Sequence, residues 1–190
     1  MSHPENVKIV ALVGLTGSGK STAVDHLTAK GYPKVYFGGI FYEALKEAGI
    51  TPGDWEPEEK FRKEIREKEG KDFVVNRANK QIKDLIAAGQ HRIIADGLYS
   101  WTEYKIMKHE FPGELTLIAF VTPKHLRKRW LAERPERPLT PAEVDQRDWA
   151  EIEDVEKGGP IAIADYFIMN DKGVESLYTQ LDDILEKIDF

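Results

Sequence analysis

Short apolar runs alternate along the chain with longer segments in which apolar residues recur at helical spacing. The runs predicted as buried strands are residues 7–13, 34–37, 92–95, 115–121 and 166–169. The segments predicted as helices are residues 21–30, 40–48, 57–68, 72–88, 104–110, 124–133, 141–156 and 174–188. A repeated strand-then-helix order predicts an α/β fold with parallel strands, right-handed crossovers and helices on both faces of the sheet.

Length and composition add limits to this picture. The chain has 190 residues, so two independent domains would both be small, and we expect a single domain over residues 1–190. It has no cysteine, which excludes a disulfide scaffold and a thiolate metal site. Residues 9–13 are too short an apolar run for a signal peptide or a membrane span, so we expect a cytoplasmic protein without membrane attachment.

The most specific chemical pattern is GLTGSGKS at residues 14–21, which matches the P-loop pattern G-x-x-x-x-G-K-[ST]. It follows a predicted strand and opens a predicted helix, where backbone amides and the helix N-terminus can surround phosphate oxygens. The alternative is a glycine-rich turn without a ligand. We expect Lys20 to reach the β- and γ-phosphates of ATP, Ser21 to bind Mg²⁺ and Thr22 to lie beside the α-phosphate. The predicted loop residues that bind the nucleotide are Gly14, Thr16, Gly17, Ser18, Gly19, Lys20, Ser21 and Thr22.

A carboxylate follows the third predicted strand, where Asp96 and Gly97 end the run 92–95. Ligands of open parallel sheets collect at the carboxyl ends of the strands, so we expect Asp96 to hold Mg²⁺ or its waters. An ordinary Asp-Gly turn is the alternative. The fourth predicted strand is followed by no Asn-Lys-x-Asp motif for guanine, which argues against a switch GTPase.

An arginine-rich segment with three prolines, residues 127–147, is predicted as part of a lid over about residues 127–150. Phosphoryl transfer requires cations against the charge that develops on the transferring group. The predicted catalytic residues are Lys20, Asp96, Arg129, Arg134 and Arg147. Nearby acids, among them Asp145 and Asp148, could neutralise several of the arginines, so a solvated charged surface is the alternative.

These motifs, together with Arg147-Asp148 and the sequence ADYFIMN that ends at Asn170, resemble the dephospho-CoA kinase group of the nucleoside monophosphate kinase superfamily, especially its small nucleotide-kinase-like relatives in archaea and bacteria. The resemblance covers nearly the whole chain. It implies a P-loop NTPase three-layer α/β/α sandwich with a five-stranded parallel sheet in the order 2-3-1-4-5, a lid that closes over ATP, and an acceptor-binding helical region at about residues 38–90. It also implies that Asn170 and Gly173 border the adenine.

The acceptor site departs from the pattern of that group. Gly39 stands where the group usually has an aspartate that activates the acceptor hydroxyl, and Tyr42 replaces a basic residue. Glu43 or Asp25 could supply a base, whereas an acceptor that is already a phosphate needs none. The predicted acceptor-binding residues are Gly39, Tyr42, Glu43, Arg77, Gly97 and Tyr99, with Arg77 as a cation for phosphate and Tyr99 as a stacking surface for a base.

The sequence therefore favours a kinase that uses ATP and Mg²⁺ and acts on a nucleotide or coenzyme-precursor acceptor, which the resemblance suggests is dephospho-CoA-like. A nucleoside or deoxynucleoside monophosphate kinase is the alternative that Gly39 favours. A nucleotide-dependent regulatory protein without small-molecule transfer is a further alternative. The net charge of −6 argues against nucleic acid as a partner, and we expect a monomer or a weak homodimer.

Overall fold

A five-stranded parallel sheet forms the centre of the computed structural model, which describes residues 6–51, 55–70 and 72–190. The strands are β1 (Lys8–Gly14), β2 (Lys34–Tyr36), β3 (Arg92–Asp96), β4 (Leu115–Val121) and β5 (Tyr166–Met169). Their order in the sheet is β2-β3-β1-β4-β5. The expected α/β fold and its 2-3-1-4-5 strand order are confirmed. Residues 52–54 and 71 of the predicted acceptor-binding region lie outside the described residues.

Helices connect the strands and follow the last one. They are α1 (Lys20–Ala29), α2 (Phe37–Glu47), α3 (Trp55–Glu69), α4 (Phe73–Ala87), α5 (Trp101–Glu110), α6 (Lys124–Ala132), α7 (Pro141–Glu153), α8 (Gly158–Ala162) and α9 (Val174–Lys187). Most bounds agree with the prediction within one or two residues, and α5 begins three residues earlier than predicted, at Trp101. Phe37 begins α2 instead of ending a strand, and the predicted helix 141–156 ends at Glu153. The short α8 was not predicted, because its sequence GGPIA contains two glycines and a proline.

The central strands of the sheet are buried on both faces, whereas the edge strands β2 and β5 have exposed residues. Along β1, Ile9, Ala11 and Val13 belong to one apolar cluster, and the alternate residues Val10 and Leu12 belong to the other. Helices α2, α4 and α5 contribute to the first cluster, whereas α1 and α9 contribute to the second. This alternation explains the near-continuous apolar run of β1, since both faces of a parallel sheet are covered. Among the described residues no helix is long and apolar enough to cross a bilayer.

Strand register brings the two predicted phosphate-site elements together. Leu12 of β1 pairs with Asp96 of β3, and Leu12 stands two residues before Gly14, where the phosphate loop begins. Asp96 therefore lies next to the start of the loop. Gly14, the first residue of the loop, pairs with Phe120 of β4. The loop therefore emerges between two neighbouring strand ends, at the carboxyl edge where open parallel sheets collect their ligands.

Capping boxes fix the starts of two helices near this edge. In α5 the Ser100 hydroxyl accepts from the Glu103 amide, and Glu103 Oε2 accepts from the amides of Tyr99 and Ser100 at 2.8 and 3.0 Å. In α7 the same arrangement joins Thr140 and Glu143. Each box satisfies helix amides that otherwise have no partner. The first box also fixes the backbone at Tyr99, directly after β3.

Candidate active site

A cavity of about 760 Å³ opens at the carboxyl edge of the sheet. Its size is typical of small-molecule sites. All residues of the phosphate loop from Gly14 to Thr22 line it. The remaining lining residues are Val24, Asp25, Lys34, Tyr36, Asp96, Tyr99, Trp130, Arg134, Arg147, Glu151, Lys157, Asn170, Gly173, Val174 and Leu177.

The phosphate loop keeps its shape through glycines and two buried side chains. Gly17 and Gly19 have φ values of 83° and 92°, a left-handed conformation that favours glycine. A Cβ at Gly19 would lie 2.3 Å from Asn170 Nδ2. The carbonyl oxygen of Ser18 accepts hydrogen bonds from Thr122 Oγ1 at 3.0 Å and Asn170 Nδ2 at 3.1 Å. The ends of β4 and β5 thus hold the loop ready to present its amides to an anion.

Lys20, the first residue of α1, donates to Asp96 Oδ1. Their side chains are 16% and 9% exposed, so this is a largely buried ion pair. Ser21 lines the same cavity. A hydroxyl and a carboxylate are oxygen ligands of the kind that Mg²⁺ prefers, and Mg²⁺ usually takes its remaining ligands from phosphates and water. Ser21 and Asp96 therefore fit the predicted Mg²⁺ ligands by chemistry.

Helices α6 and α7, which carry the predicted lid, are bonded to the phosphate loop through Thr16. Glu151 accepts from Thr16 N at 3.0 Å and from Thr16 Oγ1 at 2.5 Å. Arg147 Nε donates to Thr16 Oγ1 at 2.8 Å, and Arg127 Nη1 donates to the Thr16 carbonyl oxygen at 3.1 Å. Every polar atom of Thr16 is therefore bonded to this helix pair.

Arg127 joins the two helices of that pair. Its guanidinium donates to both carboxylate oxygens of Asp148, at 2.7 and 2.8 Å. The side chains are 5% and 8% exposed, so both charges are neutralised out of water. A paired, buried guanidinium of this kind holds α6 against α7. Asp148 thus neutralises one arginine of the segment, as the sequence alternative allowed.

A second buried ion pair lies next to Thr16. Lys157 Nζ donates to Glu151 Oε1 at 3.0 Å and lies 4.7 Å from the centre of the Tyr99 ring. Burial lowers the pKa of Lys157, against the opposing effect of Glu151, and the charges of Lys20 and Arg147 lower it further. Burial alone would raise the pKa of Glu151, but hydrogen bonds from Thr16 and the Lys157 ammonium hold it below its usual value. Glu151 is therefore a carboxylate near neutral pH, shared by several donors.

Two tyrosines line the cavity on the side of Asp96. Tyr36 ends β2, and its ring lies against the first turn of α2. A Cβ at Gly38 would lie 2.6 Å from Tyr36 Oη, and one at Gly39 would lie 2.8 Å from Tyr36 Cδ1. Burial, the Tyr36 phenol and the Asp96 carboxylate raise the pKa of Tyr99 above its usual value. Gly39 therefore gives space to the Tyr36 ring, and Tyr99 remains a neutral phenol.

Arg77 is not brought to the cavity. It lies on α4 and donates to Glu69 at 2.8 and 2.9 Å and to Glu47 at 2.9 Å. Its hydrogen bonds to Glu69 raise the pKa of Arg77 above the usual arginine value, and the bond to Glu47 adds to this effect, whereas desolvation opposes it. Arg77 thus links the ends of α2, α3 and α4, and it does not line the cavity where a phosphate acceptor would meet it.

Other predicted residues are also outside the cavity lining. Tyr42 is 52% exposed, and the exposed Glu43 accepts from Gln81 Nε2 at 3.2 Å. Gly97 has a φ of 90° and lies behind the Tyr99 ring. Of the three arginines predicted as catalytic, Arg134 and Arg147 line the cavity, whereas Arg129 does not.

Residues 10–157 match the protein family described as AAA domain. The chain belongs to this AAA domain family. The UPF0200 protein of Sulfurisphaera tokodaii is 32% identical to this chain over 189 residues, which cover 96% of this chain and 98% of the relative. The UPF0200 protein of Thermococcus onnurineus is 30% identical over 183 residues, which cover 95% of this chain and 97% of the relative.

Solved structures share the fold of this AAA domain. TT1252 from Thermus thermophilus has a TM-score of 0.66 at 18% identity, over 96% of this chain and 98% of that one. Shikimate kinase from Bacteroides thetaiotaomicron has a TM-score of 0.58 at 11% identity, over 96% and 99% of the two chains. A gluconokinase from Sinorhizobium meliloti has a TM-score of 0.56 at 13% identity, over 97% of each chain. The AAA domain therefore has a P-loop kinase-like fold.

Sequence reasoning missed Glu151 and Lys157 of this AAA domain. Glu151 stands four residues after Arg147 on a predicted helix, so it shares a helix face with a predicted catalytic residue, and this spacing was an available signal. Lys157 follows Glu156 and precedes two glycines, where no local pattern separates it from a surface lysine. Its burial depends on contacts with α7 and with Tyr99, which are distant in sequence.

Proposed function

We propose that the chain is a kinase that transfers the γ-phosphoryl group of ATP·Mg²⁺ to a small anionic acceptor. One observation carries the proposal. One cavity is lined by the complete phosphate loop, by the Lys20–Asp96 pair and by the further cations Lys34, Arg134, Arg147 and Lys157. Likeness in fold to shikimate kinase and a gluconokinase supports the reaction class, and the acceptor of this chain is argued from its own residues.

In this proposal the adenine lies near Asn170 and Gly173, at the start of α9. The loop amides hold the phosphates, and Lys20 leaves Asp96 to contact the β- and γ-phosphates. This exchange also frees the Asp96 carboxylate. Ser21 and Asp96 would hold Mg²⁺, directly or through waters. When bound, Mg²⁺ neutralises charge on the β- and γ-phosphate oxygens.

The transfer itself breaks the bond between the γ-phosphorus and the oxygen that bridges to ADP. A bond forms between the same phosphorus and an oxygen of the acceptor, and ADP keeps the bridging oxygen. A hydroxyl acceptor would also lose a proton, and the aspartates that line the cavity and could accept it are Asp25 and Asp96. A phosphate acceptor has an anionic oxygen and needs no base. Lys20 and Arg147 would stabilise charge on the transferring group.

The acceptor end of the cavity favours an anion. We assign Lys34, Lys157, Tyr36 and Tyr99 of the cavity lining to this end, and the Tyr36 ring occupies the space beside Gly39. A carboxylate base at position 39 is absent, so a hydroxyl acceptor has less support than a phosphate. A nucleoside or deoxynucleoside monophosphate is therefore the acceptor class we favour. Dephospho-CoA stays a prediction from the sequence resemblance, which the comparisons do not support specifically.

The test is ADP release from ATP·Mg²⁺ with purified protein and a panel of acceptors. The panel contains nucleoside and deoxynucleoside monophosphates, dephospho-CoA, shikimate and gluconate. Stimulation by one monophosphate supports the favoured acceptor class. Stimulation by dephospho-CoA alone would favour a dephospho-CoA kinase, as the sequence resemblance suggests, and would point to Asp96 or Asp25 as the base. ATP binding with no response to any acceptor would contradict the kinase and favour a nucleotide-dependent regulatory protein.

A further inference from the structure

We propose that Lys157 is a second lysine that contacts the transferring phosphoryl group, and that Glu151 is its positioning residue. The inference deepens the proposed kinase function and rests on it. Lys157 lies in the turn between α7 and α8, outside the phosphate loop and outside the predicted lid at about residues 127–150. In this proposal the Lys157 and Lys20 ammonium groups contact the same phosphoryl group.

Lys157 is buried, and its ammonium is incompletely paired. The residue is 5% exposed, yet it lines the cavity. An ammonium has three N–H donors. Among the hydrogen bonds between described residues, the Lys157 ammonium donates to one oxygen, Glu151 Oε1. Its remaining donors are available to phosphate oxygens that enter the cavity.

Lys157 lies close to the phosphate loop. Its ammonium is bonded to Glu151 Oε1, which also accepts from Thr16 Oγ1 of the loop. The charge of Lys20 lowers the pKa of Lys157, and the Lys157 ammonium lies 4.7 Å from the centre of the Tyr99 ring. A triphosphate held by the loop amides and Lys20 would therefore bring its last phosphate near Lys157.

Positive charge is in excess around Lys157. Glu151 Oε1 is shared by the Lys157 ammonium at 3.0 Å and Arg147 Nε at 3.4 Å, so one carboxylate serves two cations. Lys20 is also close enough to lower the pKa of Lys157. Like charges that converge in a partly dry cleft are typical of a site that binds an anion. A γ-phosphate would supply the negative charge that the described residues do not.

Comparison with the arginines favours Lys157 as the cation that is already held in place. The Arg147 side chain is 57% exposed, so its charge is screened by water. Arg127 is committed to Asp148, and Arg129 does not line the cavity. Lys157 is fixed from two sides, by the carboxylate of Glu151 and by the face of the Tyr99 ring. A donor placed in advance contributes most to transition-state stabilisation, because it needs little reorganisation.

Glu151 fits a positioning role. One of its oxygens accepts from Lys157 and from Thr16 Oγ1, and the other accepts from the Thr16 amide. It therefore ties the Lys157 ammonium to the third residue of the phosphate loop. The carboxylate needs no contact with substrate to set the distance between the two lysines.

The experiment compares equilibrium affinities for ATP·Mg²⁺ and ADP·Mg²⁺ without any acceptor, by isothermal titration calorimetry. The variants are Lys157→Met and a matched control, Lys80→Met, which removes an exposed lysine that donates to Asp84 at 2.6 Å. We expect Lys157→Met to weaken ATP binding at least about tenfold more than ADP binding, because a charge-assisted hydrogen bond to the γ-phosphate is lost. The control should leave the ratio of the two affinities unchanged. The double variant Lys157→Met/Glu151→Gln also removes the carboxylate charge that loses its lysine, and it replaces the single variant if that variant does not fold.

The outcomes separate this inference from the kinase proposal. If Lys157→Met and the double variant weaken ATP and ADP binding equally, or change neither, Lys157 has a structural role and the inference is overturned. The kinase proposal is not affected by this outcome, because ADP release by the wild type tests it separately. Selective loss of ATP affinity, with no transfer to any acceptor by the wild type, supports the contact between Lys157 and the γ-phosphate and contradicts the kinase proposal. A wild type that binds neither nucleotide contradicts both.

Discussion

The nucleotide end and the acceptor end of the cavity are built in different ways. At the nucleotide end, a continuous segment, residues 14–22, supplies the loop, and buried bonds from Thr122 and Asn170 fix it. At the acceptor end, Tyr36, Tyr99 and Lys157 come from three separate parts of the chain. Recognition of a triphosphate is thus encoded locally, whereas recognition of the acceptor depends on how distant elements pack.

The largest effect should come from Lys20→Ala at the nucleotide end. We expect kcat to fall about a hundred- to thousandfold, as when one charge-stabilising donor is removed from an active site. The melting temperature should fall as well, because the Asp96 side chain, which is 9% exposed, loses the ammonium that pairs with it. Coupled measurement of ADP release and a thermal melt check both expectations. A variant with full activity would remove the basis of the kinase proposal.

Gly19→Ala tests how closely the phosphate loop is packed. We expect a loss of about 1–2 kcal/mol of unfolding free energy from the left-handed backbone, and also weaker ATP binding because the new Cβ meets Asn170. Gly31→Ala is the control, since Gly31 has the same φ of 92° with no neighbour within 4 Å. Denaturant unfolding and calorimetry measure the two effects. Equal ATP affinities in the two variants would show that the contact with Asn170 does not shape the site.

Gly39→Asp tests the acceptor end without touching the loop. The added side chain meets the Tyr36 ring, which must shift. We expect kcat/KM for the acceptor to fall about tenfold, in line with the cost of overpacking, and the Kd for ATP to stay the same. Gly113→Asp, at an exposed position with open space around it, is the control. A higher rate with a hydroxyl acceptor would instead mean that position 39 accepts the family's usual base.

The smallest effect should be a change in the alkaline pH dependence of ATP affinity. Burial and the charges of Lys20 and Arg147 lower the pKa of Lys157 despite the opposing effect of Glu151, so the free protein loses this charge at a lower pH than an exposed lysine would. As pH rises, ATP affinity should therefore begin to decline at a pH below the usual pKa range of lysine. In Lys157→Arg this decline should move to higher pH, since arginine keeps its proton. Identical pH profiles for the two proteins would exclude Lys157 as the titrating group.

The sequence predicted the parts of the molecule that depend on local pattern. All five strands and the phosphate loop lie where apolar runs and glycine spacing indicated. Burial on both faces makes the central strands β1, β3 and β4 nearly continuous apolar runs, and the loop geometry requires glycines at fixed positions. The acceptor end was harder to predict. Arg77 has the charge expected of a phosphate ligand, yet Glu47 and Glu69 pair with it at contacts that no local pattern reveals. Lys157 was missed because Glu156 before it and the two glycines after it are typical of an exposed turn, whereas the residue is buried.

The most direct test of the account is calorimetric titration of ATP·Mg²⁺ into the wild type and into Lys20→Ala. The account predicts saturable binding to the wild type, with one nucleotide per chain, and affinity at least about tenfold weaker in the variant because charge-assisted bonds to phosphate are lost. Absence of binding to the wild type, or equal affinity in both proteins, would contradict the claim that this cavity is a nucleotide site.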